Sequence, residues 1–314
     1  MTETPRANLP RPAAPTRRGV EPAEPPDSGG VSVVVPAFDE EEGIVETLTD
    51  LAAVMRGTGR PHELLVVDDG STDRTAERAQ GAGATVISLP ENRGYGAALK
   101  AGFRAAKFET VVIIDADGTY PAAAIPSLLE HADRYEMVVG ARVGEHVEIP
   151  LVRRPAKAFL AWLAAYLVGR PIPDLNSGLR VIRRALVQRF EHILPQGFSF
   201  TTTITMASLS SDVLVKYVPI DYLARLGESK IRPRHAFDFT LLIVRTIVYF
   251  NPLKIFLPVG AVFFLGGFTK FVYDIYKDNL SETTVTGFLG AAILWACGLL
   301  SDQIARVSLR PGGS

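Results

Sequence analysis
The chain has 314 residues, 47% of them hydrophobic, and a formal net charge of −1. That length and apolar content supply a sizeable core with appendages, and the near-zero charge excludes bulk electrostatic binding of nucleic acid. A single cysteine, Cys297, excludes an internal disulfide and a multi-cysteine metal site; it lies in an apolar run and is read as packing. The charge balance conceals an asymmetry. Residues 31–149 carry 20 acids and 10 bases, whereas residues 150–234 carry 5 acids and 13 bases. The first stretch has the charge to hold a metal; the second has the charge to hold phosphates or to face an anionic membrane.

Residues 1–30 hold seven prolines and almost no aliphatic pattern, which predicts a disordered tail without the apolar core of a signal peptide. A strand–helix rhythm begins at Val31. Val31–Pro36 (VSVVVP) reads as a buried strand, and Glu40–Met55 has helical spacing with Ile44, Leu48 and Leu51 on one face. Glu63–Asp68 is a second strand, followed by a helix capped by Ser71 or Thr72. Ala84–Leu89 is a third strand and Gly94–Ala106 a helix. Thr110–Asp115 is a fourth strand and Ala122–His131 a helix, and Met137–Gly140 lies in a fifth strand. Such alternation predicts an α/β domain with a largely parallel sheet, whose ligands bind beyond the carboxyl ends of the strands. Asp39, Asp68, Asp69, Asp115 and Asp117 all fall at that rim.

The rhythm then changes. Leu151–Val168 has a basic start (Arg153, Arg154, Lys157) and an apolar remainder, the pattern of a helix lying on a membrane surface; Phe237–Phe250 is similar. Leu253–Tyr273 and Val285–Leu300 are apolar runs near bilayer length, the second slightly short, joined by a polar link. Two core helices of a soluble domain are the alternative, but nothing else in the chain remains to bury them. Lys254, Arg306 and Arg310 flank the outer ends, so the positive-inside rule puts the preceding domain in the cytoplasm.

Several constellations can carry chemistry. Asp115-Ala-Asp117 follows a strand and precedes a turn with Gly118 and Pro121; two carboxylates so spaced can hold Mg²⁺ or Mn²⁺ beside a substrate diphosphate, or simply cap a solvated turn. Asp68-Asp69-Gly70-Ser71-Thr72-Asp73 and Pro36-Ala37-Phe38-Asp39-Glu40 offer carboxylates to ribose or base and flat faces to a base, or act as strand-to-helix punctuation. Gly94-x-Gly96 lacks the third glycine of a dinucleotide fingerprint and is not on the first βα turn. No Walker A sequence is present, and five scattered histidines indicate neither a metal cluster nor a triad. Arg180, Arg183 and Arg184 read as a solvated helix face.

In order, VVVPAFDEEEGI, ELLVVDDGSTDRT, ENRGYGAALKAGF and VVIIDADGTYP resemble family 2 glycosyltransferases of the GT-A fold. GARV, VRRPAK, DLNSGLRVIRR, GFSFTTTITMA and RLGESKIRPR narrow the resemblance to the polyprenyl-phosphate glycosyltransferases, the group of dolichyl-phosphate mannosyltransferase, over about residues 31–235. The Gln-x-x-Arg-Trp motif of processive synthases is missing. The resemblance implies that Pro36, Phe38, Glu40, Asp68 and Asp69 bind the nucleoside. It implies that Asp115 and Asp117 hold Mg²⁺ or Mn²⁺, with Asp117 the direct ligand. Some relatives have a glutamine ligand two residues on, where this chain has Thr119. Arg142 and Arg154 match arginines that hold the acceptor phosphate, and Arg153 is counted with them; membrane-surface charge is the alternative for Arg153 and Arg154. Asp174 matches an acid facing the sugar, and Arg225 and Lys230 lie in a segment closing over the phosphates. The catalytic set is then Asp174, Asp117 and Arg154.

The expectation is therefore a GT-A Rossmann-like domain at 31–235, an interfacial amphipathic helix at 236–252 and two transmembrane helices within 253–310. The expected reaction transfers a hexose from a nucleotide-sugar of the GDP-mannose or UDP-glucose type to a polyprenyl phosphate, by one inverting displacement at the cytoplasmic membrane face. A phosphomonoester is already ionised near neutral pH, so it needs positioning more than a base. Exposed apolar helices favour homo-oligomers. The rivals are a family 2 transferase acting on a glycan or diacylglycerol, and a non-catalytic nucleotide-sugar-binding scaffold.

Overall fold
A computed structural model describes residues 29–142, 162–166, 168–197, 199–222, 244–245 and 248–308. Seven strands form one sheet: β1 (Val31–Ala37), β2 (His62–Asp68), β3 (Thr85–Ser88), β4 (Thr110–Ile113), β5 (Met137–Arg142), β6 (Arg180–Arg183) and β7 (Val215–Ile220), in the order β3-β2-β1-β4-β6-β5-β7. The domain helices are α1 (Ile44–Gly57), α2 (Thr75–Gly81), α3 (Tyr95–Ala105), α4 (Ile125–Leu129), α5 (Arg184–Phe190) and α6 (Phe200–Ser210). The hairpin is formed by α7 (Leu253–Tyr276) and α8 (Glu282–Ser308).

β1 is buried at all seven residues because helices cover both faces of the sheet. Its alternation separates two cores. Val33 and Val35 join Ile44, Leu48, Leu51 and Met55 of α1 on one side. Val34 joins Leu99 and Phe103 of α3, with Phe190 and Phe200, on the other. The four apolar residues of α1 fall on one helical face, as their spacing predicts.

The sheet departs from the parallel expectation in its second half. β6 runs antiparallel to both neighbours, with Ile113 opposite Arg180 on β4 and Val139 opposite Arg180 on β5. The RVIR tetrapeptide read as a solvated helix face is this central strand, and Arg180 is completely buried. Four residues are too few for periodicity to register, and the arginines mask the Val181–Ile182 pair. β7 closes the sheet beside β5 and carries Pro219, which an edge strand tolerates. The helix expected from Ala122 begins instead as a 3-10 turn, Ala122–Ala124. Pro126 has no N–H with which to continue an α-helical ladder, and it opens α4.

The hairpin matches the apolar runs but extends beyond them. α7 has 24 residues and α8 has 27, about 36 and 40 Å at 1.5 Å per residue, so the second helix is not short. The two helices approach closely at glycine: a Cβ on Gly287 would lie 2.7 Å from the Gly267 Cα. Trp295 lies over Gly260 and donates to the Leu257 carbonyl at 3.2 Å. At the turn, buried Asp274 accepts from the Lys270 ammonium at 2.5 Å, from the Ser281 backbone at 2.8 Å and from the Thr284 hydroxyl at 2.7 Å. Cys297, expected in packing, is exposed on the outer face of α8. The proline-rich tail to residue 28 and most of the 236–252 segment lie outside the described residues; 162–166 and 248–250 are helical.

Candidate active site
The site is built where β1, β2 and β4 end side by side. Ala37 pairs with Asp68, and the Ile114 amide donates to the Val34 carbonyl at 3.2 Å. The loops after β1 and β2 interlock. Asp39, at a left-handed φ of 51°, accepts from the Thr72 amide at 2.8 Å, and its own amide donates to Ser71 Oγ at 3.0 Å. The Glu40 amide donates to Thr75 Oγ1 at 2.9 Å. This fixes Pro36, Phe38 and Glu40 beside Asp68, whose carboxylate accepts from the Ser71 amide at 3.0 Å.

Asp69 differs from the expected nucleoside-facing acid. It is buried, and its two oxygens accept from the Arg93 and Gly94 amides at 2.9 and 2.7 Å, so it ties the loop before α3 to the end of β2. The glycines of that loop are spent on packing. A Cβ on Gly96 would stand 2.3 Å from the Pro195 carbonyl oxygen, and one on Gly94 2.8 Å from that of Gln196. These glycines admit the close approach of the 195–196 backbone.

Asp115 and Asp117 follow β4, on a loop held to α1 by Thr47 Oγ1, which donates to the Ala116 carbonyl at 3.1 Å. Tyr95, from the first turn of α3, donates its hydroxyl to Asp115 Oδ1 at 2.9 Å. Burial, then the Asp115 charge, push the Tyr95 phenol well above its ordinary range, so it stays a donor. On the other side Gly178 lies against the same carboxylate: a Cβ there would sit 2.3 Å from Asp115 Oδ2. Asp117 Oδ1 accepts from the Thr119 hydroxyl at 2.6 Å and its amide at 3.2 Å. Thr119, at the position where some relatives have glutamine, thus orients Asp117. Among the described residues no group of three or more His, Cys, Asp or Glu is assembled as a metal cage. A pair of oriented carboxylates is a hard oxygen donor set, and it fits Mg²⁺ or Mn²⁺ when substrate phosphates complete the shell.

Asp174 and Arg142 are brought together, with an outcome the sequence did not predict. Arg142 Nε and Nη2 form a fork to Asp174 Oδ2 and Oδ1 at 2.7 and 2.8 Å. The Arg142 and Asn176 amides donate to the same carboxylate at 3.1 and 3.0 Å. Four donors fill the roughly four acceptor sites of a carboxylate. Burial raises the Asp174 pKa, but the Arg142 hydrogen bonds and charge, with the backbone donors, outweigh it and hold the carboxyl below its ordinary value. In this arrangement Asp174 is held as a carboxylate by protein donors. The fork expected to hold an acceptor phosphate is likewise given to Asp174, and Arg142 also lies over the Tyr222 ring at 5.3 Å. Tyr222 meets Tyr120 edge-on, and the Tyr120 hydroxyl accepts from the Gly178 amide at 2.7 Å. An unbroken chain of contacts therefore runs from Arg142 to Asp115. Tyr95, Tyr120 and Gly178 are site residues that motif reading missed. Arg153, Arg154, Arg225 and Lys230 lie outside the described residues.

Comparison with known proteins fits this geometry. The description Glycosyl transferase family 2 matches residues 32–190, and GtrB C-terminal hairpin matches 251–307. The dolichyl-phosphate hexose transferase of Haloferax volcanii is 34% identical over 205 residues, covering 65% of this chain and 87% of the relative. The undecaprenyl-phosphate 4-deoxy-4-formamido-L-arabinose transferase of Pectobacterium carotovorum is 31% identical over 254 residues, covering 77% and 74%. Glucosyl-3-phosphoglycerate synthase of Mycobacterium tuberculosis, crystallised with Mn²⁺, UDP-glucose and phosphoglyceric acid, matches with a TM-score of 0.56 at 23% identity, covering 70% of this chain and 80% of that one; this likeness concerns the fold. With its rim acids, its GT-A sheet and its apolar hairpin, the chain belongs to glycosyl transferase family 2, among the polyprenyl-phosphate glycosyltransferases.

Proposed function
We propose that this enzyme transfers a hexose from a nucleotide-sugar, of the GDP-mannose or UDP-glucose type, to a polyprenyl phosphate at the cytoplasmic face of a membrane. The observation that carries this reading is the union in one chain of an oriented Asp115/Asp117 pair and a two-helix apolar hairpin. The first suits a water-soluble donor, the second a lipid acceptor. The exposed, stacked Trp162 and Tyr166 support it, since such rings favour a membrane interface.

Asp115 and Asp117 would hold Mg²⁺ or Mn²⁺, which when bound neutralises the departing nucleoside diphosphate. Pro36, Phe38, Glu40 and Asp68 frame the nucleoside. An oxygen of the lipid phosphate attacks the anomeric carbon; the carbon–oxygen bond to the diphosphate breaks, and its electron pair leaves with the nucleotide. One displacement inverts the anomeric centre. The acceptor is already an anion, so no side chain need remove a proton from it. Arg153, Arg154, Arg225 and Lys230 supply the positive charge that steers it, because guanidinium forks bond two phosphate oxygens at once. Asp174 serves by fixing Arg142 and the turn beside Asp115.

The test is to incubate purified protein with radiolabelled nucleotide-sugars and polyprenyl phosphate in detergent, with Mg²⁺ or Mn²⁺ and with EDTA. Labelled polyprenyl-phosphate hexose, lost on chelation, is expected. Label entering a glycan or diacylglycerol, with polyprenyl phosphate unlabelled, would overturn the acceptor assignment.

A further inference from the structure
Arg180 is a full positive charge in the middle of the sheet. It has no solvent exposure, and among the described residues no carboxylate forms an ion pair with it. Burying an unpaired ion is costly, and a hydrocarbon side chain would fill a strand core without that cost. Its donors all go to neutral acceptors. Nε donates to the Ser177 carbonyl at 2.8 Å, and Nη2 to the Leu175 carbonyl at 3.0 Å. Nη1 donates to the Thr205 hydroxyl of α6 at 2.5 Å and lies 3.7 Å from the Met137 sulfur.

The two carbonyls belong to one short turn, Asp174–Gly178, and each part of that turn touches something different. Its first residue is the carboxylate that holds Arg142. Leu175 packs in a small cluster with Ala164, Met206 and Ile255, the last from the first turn of the hairpin. Asn176 accepts from the Thr202 hydroxyl of α6. Gly178 lies against the Asp115 carboxylate. The turn is thus the piece of backbone common to the acid site, the arginine–aspartate pair and the root of the hairpin.

We infer that Arg180 is a positioning residue: its buried guanidinium pins the 174–178 turn, and through it sets Asp115 and Arg142 relative to the hairpin-side surface where the acceptor head arrives. Neutral donors could satisfy the same carbonyls, but charge-assisted hydrogen bonds are roughly twice as strong, and a rigid fork fixes two carbonyls at once. A lysine keeps the charge and loses the fork. The effect falls on turnover more than on donor binding, since Pro36, Phe38 and Asp68 lie on β1, the loop after it and β2. The catalytic part of this inference rests on the proposed transfer reaction; the structural part does not.

The experiment compares full-length wild type, Arg180→Lys and Thr205→Val in detergent. Hydrogen–deuterium exchange reads the turn without any substrate. Arg180→Lys is expected to raise exchange of the 174–179 amides at least about tenfold, with the β1 and β2 amides unchanged. In transfer assays its kcat falls about 10- to 100-fold, the range found when supporting contacts are lost, while donor KM and UDP affinity stay within about twofold. Thr205→Val, which removes one acceptor and is nearly isosteric, gives a smaller fall in kcat with the same unchanged KM. Combining the two substitutions adds little, because both act through one guanidinium. If Arg180→Lys does not fold, Thr205→Val decides alone. Unchanged exchange at the turn, or a kcat loss matched by equal loss of donor affinity, overturns the inference. Absence of transfer by the wild type overturns the acceptor assignment instead and leaves the exchange result standing.

Discussion

The two halves of the sheet treat aspartate in opposite ways. At the end of β4, Asp115 accepts from the Tyr95 hydroxyl and Asp117 from the Thr119 hydroxyl, donors that orient a carboxylate without carrying charge. Beyond β5, Asp174 is neutralised by Arg142 and filled by four donors. The same side chain meets hydroxyl donors in one half and a guanidinium fork in the other. The difference matters because a guanidinium beside a carboxylate holds it ionised and takes up its lone pairs, whereas a hydroxyl donor orients it without supplying charge.

The comparison breaks most sharply at Asp117. Asp117→Asn should lower kcat by about 10²- to 10³-fold, because a metal-assisted step loses several kcal/mol of charge stabilisation. Thermal unfolding in detergent should hardly move. The reverse pattern is expected at Arg142. Arg142→Met strands a buried carboxylate and should cost about 3 kcal/mol of stability, while the double variant Arg142→Met/Asp174→Leu should cost less than the single one. Denaturant titration of the three variants checks this.

The pH dependence sharpens the same contrast. Asp174 titrates below its ordinary value of 3.8 in the folded protein. Its stabilising contribution is therefore complete at neutral pH, and it is lost as pH falls below that value and through the folded one. Asp174→Asn should flatten the acid limb of a melting-temperature profile between neutral pH and pH 3. The smallest effect is expected at Tyr95→Phe, which removes one hydroxyl from Asp115: about a tenfold loss of activity, with a matching rise in the Mg²⁺ or Mn²⁺ concentration needed for half-activation.

The parallel half was legible because its signals are redundant. β1, β2 and β4 are runs of valine, leucine and isoleucine, α1 has a 3.6-residue stripe, and each acid motif sits at a strand end. The second half breaks those rules for identifiable reasons. β6 is four residues long and begins and ends with arginine. β7 is an edge strand interrupted by Pro219. α6 carries Thr201, Thr202, Thr205 and Ser208, all buried, so no polar face marks it as amphipathic. The site followed the same division. Asp115 and Asp117 could be found from Asp-x-Asp at a strand end. Tyr95 could have been suspected, since a tyrosine between two glycines at a helix start faces whatever the loop packs on. Nothing local marks Asp174 as paired with Arg142, 32 residues away, because the bond exists only after β5 and the 174–178 turn are laid side by side.

The stitching of the hairpin has a mechanical consequence. Asp274 draws donors from both helices at the turn, and Gly267 meets Gly287 backbone to backbone further along. One helix cannot slide past the other without breaking both contacts, so α7 and α8 act as a single stiff rod. Ile255, at the base of that rod, shares a cluster with Leu175. The 174–178 turn is therefore where packing against the hairpin meets the backbone next to Asp115.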